Sequence, residues 1–203
     1  MKKRISIIKR KTKETDITVK LNIDGTGKTK INTGIGILDH MLELFAFHGF
    51  FDLSVNAKGD LKIDIHHTNE DIGLVLGMAF KKALGDKKRI RRFGCFSVPM
   101  EENIANVVLD INGRGFLQLN KNPINRHGET PKPQDGYSFK DIEHFLDSFA
   151  KNIGMNLTIN ITMGTDLHAA LEPIFKALGI ALDQATQTDP RRKSIPSTKG
   201  VID

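Results

Sequence analysis

Two adjacent histidines with an acid just beyond them, His66, His67 and Glu70, form the stretch of this chain best equipped for chemistry. Glu70 lies four residues after His66, one helical turn, so its carboxylate and an imidazole can meet on a shared ion. Imidazole nitrogen with carboxylate oxygen is a donor set that manganese, zinc or iron accepts. Neighbouring side chains diverge by roughly 100° on a helix and 180° on a strand, so His66 and His67 are not expected to face one ion together. The pair therefore suggests two metals or two subunits. Taken alone, the motif fits a solvated His-His turn capped by acids equally well.

The surrounding pattern indicates how these groups are held. Residues 61–65 alternate, with Ile63 and Ile65 on one face, and predict a strand that delivers His66. Thr68 and Asp71 read as the capping box of a helix that starts near Thr68 and runs to about Leu84, closed by Gly85. Earlier in the chain, residues 5–8 and 17–22 read as strands. Between them Glu14 lies among cations that keep it ionised, as a base or a substrate contact requires, although an ordinary surface glutamate fits this segment as well. A helix is expected over residues 37–47, carrying His40 and ended by His48-Gly49, and then a strand over 51–55.

The second half repeats this order. His40, Leu42, Glu43, Phe45 and Ala46 return as His144, Leu146, Asp147, Phe149 and Ala150, each set followed by a strand. The spacing of His66 to Glu70 returns as His168 to Glu172. Such a duplication predicts two similar halves packed about a pseudo-two-fold axis. Core positions of a repeated fold explain the shared leucines and phenylalanines but not the histidines, which favours metal ligation. The expected divisions are residues 1–93 for the first half-repeat, 94–187 for the second and 188–203 for a basic tail, all within one compact domain. Strands are expected near residues 95–98, 107–110 and 116–119. Residues 120–137 form a long polar loop, a lid or simply disordered, in which His127 reads as solvated. Ser138 and Asp141 cap the next helix, which Gly154 ends. In the tail, Ser197 and Lys199 beside Gly200 offer the donors, cation and close backbone approach that suit a phosphate monoester.

Bulk composition narrows the field. The chain has 203 residues, 39% of them hydrophobic, enough for a real core. Its single cysteine, Cys95, rules out a disulfide framework and a cysteine-rich metal site, leaving histidines and carboxylates to carry any metal chemistry. No apolar run approaches membrane-spanning length, so no membrane partner and a cytoplasmic location are expected. A net charge of +6 points to an anionic partner, but with one tyrosine and no tryptophan the stacking platform for single-stranded nucleic acid is missing. No nucleic-acid partner is expected.

Taken together, these residues resemble the imidazoleglycerol-phosphate dehydratase family. The resemblance is carried by Thr33-Gly34-Ile35-Gly36-Ile37-Leu38-Asp39-His40, by residues 59–71 with His66, His67 and Glu70, by Ile90-Arg91-Arg92-Phe93-Gly94, by Asp110-Ile111-Asn112-Gly113-Arg114, by Phe175-Lys176-Ala177-Leu178 and by Pro196-Ser197-Thr198-Lys199-Gly200. It implies a duplicated α+β fold like the second domain of ribosomal protein S5, a 24-subunit homo-oligomeric shell, and two manganese ions per site between subunits. It also implies metal ligands at His40, His66, His67, Glu70, His144, His168 and Glu172. Substrate contacts are implied at Glu14, Arg92, Arg114, Ser197 and Lys199, and the catalytic carboxylates at Glu14, Glu70 and Glu172. The implied reaction removes water from imidazole glycerol phosphate in histidine biosynthesis; the family's proposed mechanism holds the substrate ring as an imidazolate that expels the neighbouring hydroxyl through a diazafulvene-like intermediate.

Three departures from the family pattern stand out. Ala169 occupies the place of a second histidine and cannot bind metal, so one expected ligand is missing; Asp166, where the family has asparagine, is a candidate oxygen donor in its stead. Pro173 is expected to delay the helix start to about Glu172. The 120–137 loop is longer than the family's. These departures motivate an alternative, a non-enzymatic relative that keeps the shell and binds metal or ligand without turnover.

Overall fold

The computed structural model describes residues 3–124 and 128–202, so the reading of His127 lies outside the described residues. In the first half, β1 (Ile5–Lys11) and β2 (Thr15–Asn22) form a hairpin. β3 (Thr29–Asn32), α1 (Gly36–His48) and β4 (Asp52–Gly59) then make a parallel crossover, and α2 (His66–Leu84) closes the half. The second half repeats the sequence of elements with β5 (Phe93–Met100), β6 (Asn103–Asp110), β7 (Phe116–Pro123), α3 (Phe139–Ile153), β8 (Asn156–Met163) and α4 (Leu167–Thr186). The strand orders are β1-β2-β4-β3 and β5-β6-β8-β7. The duplication read from the helices thus holds for every element.

Alternation in β2 buries Ile17, Val19 and Leu21 while Asp16 and Lys20 face out, so each sheet turns one face inward and one outward. Helices cover the inner faces, and the halves meet helix on helix, α2 against α3 and α1 against α4. Phe45, Phe51, Phe80, Phe145, Phe149 and Phe175 are fully buried in the single core between the two sheets. The α2–α3 contact is close because Gly73 faces α3: a Cβ there would lie 2.5 Å from the carbonyl oxygen of Phe145. Gly179 does the same for α4 and α1, with 2.3 Å to the carbonyl oxygen of Phe45.

Several local expectations are corrected. Residues 61–65 are turn rather than strand, and α2 begins at His66, so both histidines lie in its first turn. The Asp64 carboxylate accepts the His66 backbone N–H at 3.0 Å and serves this helix start. The expected box partner Asp71 instead receives Thr15 Oγ1 at 2.6 Å and the Arg10 guanidinium, tying α2 to the first hairpin. Pro173 does not delay α4; it sits buried inside the helix. Its missing N–H leaves the Ala169 carbonyl without an intrahelical donor, but burial of Leu171, Ile174 and Phe175 around it outweighs that loss. β3 escaped the sequence reading because its four residues are mostly exposed and polar. The capping box at Ser138 and Asp141, and the left-handed Gly154 that ends α3 (φ 78°), stand as expected.

Candidate metal centre

Two helix pairs start side by side, and each start carries histidine. On the α1–α4 pair, His40 and His168 stack with ring centroids 4.9 Å apart. Glu172, one turn after His168, brings Oε1 to 2.8 Å from His168 Nε2 and 3.5 Å from His40 Nε2. Ligand atoms of these three residues all lie within 4.8 Å of one another. Octahedral donors about 2.1 Å from a small divalent ion sit roughly 3 Å apart when adjacent, so this trio fits one ion with little rearrangement. The other Glu172 oxygen is engaged by the Lys176 ammonium, so Oε1, between the two imidazoles, is the oxygen that could meet a cation. Burial works against ionised Glu172, yet hydrogen bonds from Lys176 and His168 leave its pKa below the ordinary carboxylate value.

On the α2–α3 pair, His66 Nδ1 lies 2.8 Å from His144 Nδ1, and His66 Nε2 lies 3.3 Å from Glu70. The repeat explains the likeness of the two groups: α1 corresponds to α3 and α2 to α4, so His40, His168 and Glu172 are the pseudo-symmetric counterparts of His144, His66 and Glu70. His67 turns away from His66, with 6.0 Å between ring centroids, and meets Asp60 at 3.1 Å. Hydrogen bonding to Asp60, reinforced by the charge of Glu14, raises the pKa of His67. Ala169 holds the corresponding place in α4. Asp166 is the N-cap of that helix; its Oδ1 accepts the Ala169 N–H at 2.7 Å, so this carboxylate is occupied by the backbone and not directed to an ion.

The remaining candidates lie apart from these clusters. Glu14 sits exposed in the β1–β2 turn. Arg92 makes a two-pronged pair with Asp110, Nε–Oδ1 2.6 Å and Nη2–Oδ2 2.9 Å, and donates from Nη1 to the Pro196 carbonyl at 2.9 Å. That bond, with Arg89 N–H to the Ser194 carbonyl at 3.0 Å, packs the basic tail against the chain and places Ser197 near Arg92. Arg114 and Lys199 are exposed. Among the described residues none of these cations pairs with the histidine clusters.

A cavity of 480 Å³ opens beside His40 and His168, lined also by Gly34, Leu61, Gln134 and Asp135. The last two come from the long polar loop, which ends in a tight turn with Gln134 and Tyr137 paired through both backbone bonds. Tyr137 is buried and its hydroxyl donates to Asn69 Oδ1 at 2.7 Å, while Asn69 Nδ2 donates to the Asp141 carbonyl at 2.6 Å. Sequence reasoning missed Asp60, Asn69, Gln134, Asp135, Tyr137 and Lys176 as site neighbours. The His168, Glu172 and Lys176 spacing alone offered a signal, since four-residue steps share a helix face.

Residues 33–182 match the sequence model of the family described as Imidazoleglycerol-phosphate dehydratase. The chain belongs to the imidazoleglycerol-phosphate dehydratase family. A dehydratase of that name from Thermoanaerobacter sp. is 51% identical over 195 residues, covering 96% of this chain and 97% of its own. One from Pelobacter propionicus is 49% identical over 200 residues, covering 98% and 99%. Crystal structures of imidazoleglycerol-phosphate dehydratases from Staphylococcus aureus (TM-score 0.78, 32% identity, 91% of this chain and 99% of that one) and Pyrococcus furiosus (0.79, 33%, 96% and 99%) share its fold. The α+β duplication expected from the sequence is therefore the dehydratase family's fold. Among the described residues no helix is long and apolar enough to cross a membrane.

Proposed function

We propose that the protein dehydrates imidazole glycerol phosphate to imidazole acetol phosphate, a hydro-lyase step of histidine biosynthesis in the cytoplasm, with manganese as its ion. The observation that carries this reading is the pair of pseudo-symmetric histidine–glutamate groups at adjoining helix starts, in a chain of this family. One group would be His40, His168 and Glu172; the other His66, His144 and Glu70, with His67 alongside. A divalent ion held by such residues would supply Lewis acidity to polarise the substrate's imidazole ring.

The protein's own groups do the rest. The hydrogen to be removed from carbon has no adjoining carbonyl to make it acidic, so a base must act on a ring already polarised. Glu14, whose charge bears on His67, would accept that proton and return it to the departing hydroxyl, so that water leaves. Arg92, Arg114, Ser197 and Lys199 would hold the phosphate, with Arg92 already oriented by Asp110. The family's 24-subunit shell belongs to the same reading. Its assembly is supported by the apolar outer face of the second sheet, where Phe93, Ile104, Val108 and Phe116 are 58%, 46%, 42% and 57% exposed.

The test is a dehydration assay with and without manganese on wild type and Ala169→His, beside the metal content of the purified assembly. Manganese-dependent turnover by wild type is expected. About one ion per subunit, rather than two, would show that Ala169 empties a site. A protein that stays inactive with manganese, in wild type and variant alike, would overturn the assignment.

A further inference from the structure

Asp60 is an acid outside both histidine–glutamate groups. It follows the last residue of β4, and its Oδ2 lies 3.1 Å from His67 Nδ1 in the first turn of α2. A carboxylate only accepts, so in the neutral ring Nδ1 carries the proton and Nε2 is left with a bare lone pair on the opposite side. That is the reverse of the tautomer a free histidine side chain favours. Asp60 gains little else: its Oδ1 is buried without a partner among the described residues. The side chain of Asp60 is 18% exposed and that of His67 40%, so the acid is the more buried partner and the imidazole keeps part of its surface open. The arrangement is confined to the first half. In the second, Gly164 follows β8 and Ala169 stands in the place of His67, so neither the acid nor its imidazole is present.

We propose that Asp60 is a positioning residue that fixes the tautomer and orientation of His67, presenting Nε2 as a ready donor to a divalent cation. The cation part rests on the reading of His67 as a metal ligand under the proposed function; the tautomer part does not. A carboxylate behind a ligating imidazole raises its basicity and removes the cost of reorienting it, and loss of such a partner typically weakens metal binding 10–100-fold. Asp60 touches neither substrate nor ion in this assignment and acts through His67 alone.

The experiment uses full-length protein with ¹⁵N-labelled histidine, measured by magic-angle-spinning NMR without added metal. The spectra are recorded at alkaline pH, where the imidazole is neutral and a single ring nitrogen carries the proton. His67→Gln identifies the signal. Wild type should show His67 protonated at Nδ1; Asp60→Ala should shift it toward Nε2–H, and Asp60→Asn, which keeps an acceptor oxygen, should restore Nδ1–H. Manganese titration followed by electron paramagnetic resonance should show about 10–100-fold weaker binding at the affected site in Asp60→Ala and a smaller loss in Asp60→Asn. A wild-type His67 protonated at Nε2, or an Asp60→Ala variant with unchanged tautomer, would overturn the positioning role. An altered tautomer with unchanged manganese affinity would overturn its link to the ion. If wild type binds no manganese and dehydrates nothing, the proposed function fails, and the NMR result still decides what Asp60 does to His67.

Discussion

A methyl group added at Gly73 tests whether the close α2–α3 contact sets the geometry of the second histidine group. In Gly73→Ala the new Cβ would stand 2.5 Å from the Phe145 carbonyl oxygen and 3.3 Å from its carbonyl carbon. Relief to ordinary contact requires the helices to part locally by roughly 0.7–1 Å, since packed interiors hold no slack of that size. His144 precedes Phe145, and its Nδ1 now lies 2.8 Å from His66 Nδ1. The same displacement would stretch this contact to about 3.6 Å, outside hydrogen-bonding range. Overpacking of this kind costs about 1–3 kcal/mol, against which alanine in a helix regains about 1 kcal/mol. The expected net loss therefore lies between zero and about 2 kcal/mol, read by urea denaturation at fixed protein concentration, together with weaker manganese binding. Gly36→Ala serves as the control, because its Cβ would meet nothing within 4 Å and should stabilise by up to about 1 kcal/mol. If Gly73→Ala stabilises as much as the control, α2 and α3 part freely and the argument is wrong.

Other consequences follow from single contacts. Tyr137→Phe removes the buried hydroxyl that donates to Asn69 and should cost about 1–3 kcal/mol near neutral pH by chemical denaturation. Burial raises the pKa of Tyr137 well above 10.0, so its contribution is complete below the unfolded-state value and lost as pH rises through the folded one; the variant should lack this alkaline loss, and identical alkaline profiles would count against it. Asp166→Ala should cost about 0.5–2 kcal/mol through the lost α4 cap without releasing a metal ligand, so a vanished manganese site would contradict the capping role. Manganese at a hundred times its dissociation constant should stabilise the folded protein by about 2.7 kcal/mol, reversed by a chelator; a melting temperature indifferent to both would contradict the metal reading.

The repeat was legible because both copies keep the same helix faces. Leu42, Phe45 and Ala46 return as Leu146, Phe149 and Ala150, and a buried face tolerates only apolar groups of similar size. Helix ends at Gly85 and Gly154 and the cap at Ser138 were readable for similarly local reasons: backbone geometry there selects the residue type. The short strand β3 and the turn over residues 61–65 were not, because exposed polar strands leave no pattern and alternation alone cannot exclude a turn. Pro173 misled because local propensity is overridden when a helix is buried on nearly all sides.

The histidines, glutamates and their one-turn spacings are fixed by the chain, since a helix brings residues four apart to one side whatever surrounds it. Which of them share a site is decided only when α1 meets α4 and α2 meets α3, uniting His40 with His168 and Glu172 across more than half the chain's length, and His66 with His144 across more than a third. The same holds for Asp60 beside His67 and for Tyr137 on Asn69. Contacts of that kind depend on how faces pack in space, and side-chain packing leaves no periodic trace in the order of residues.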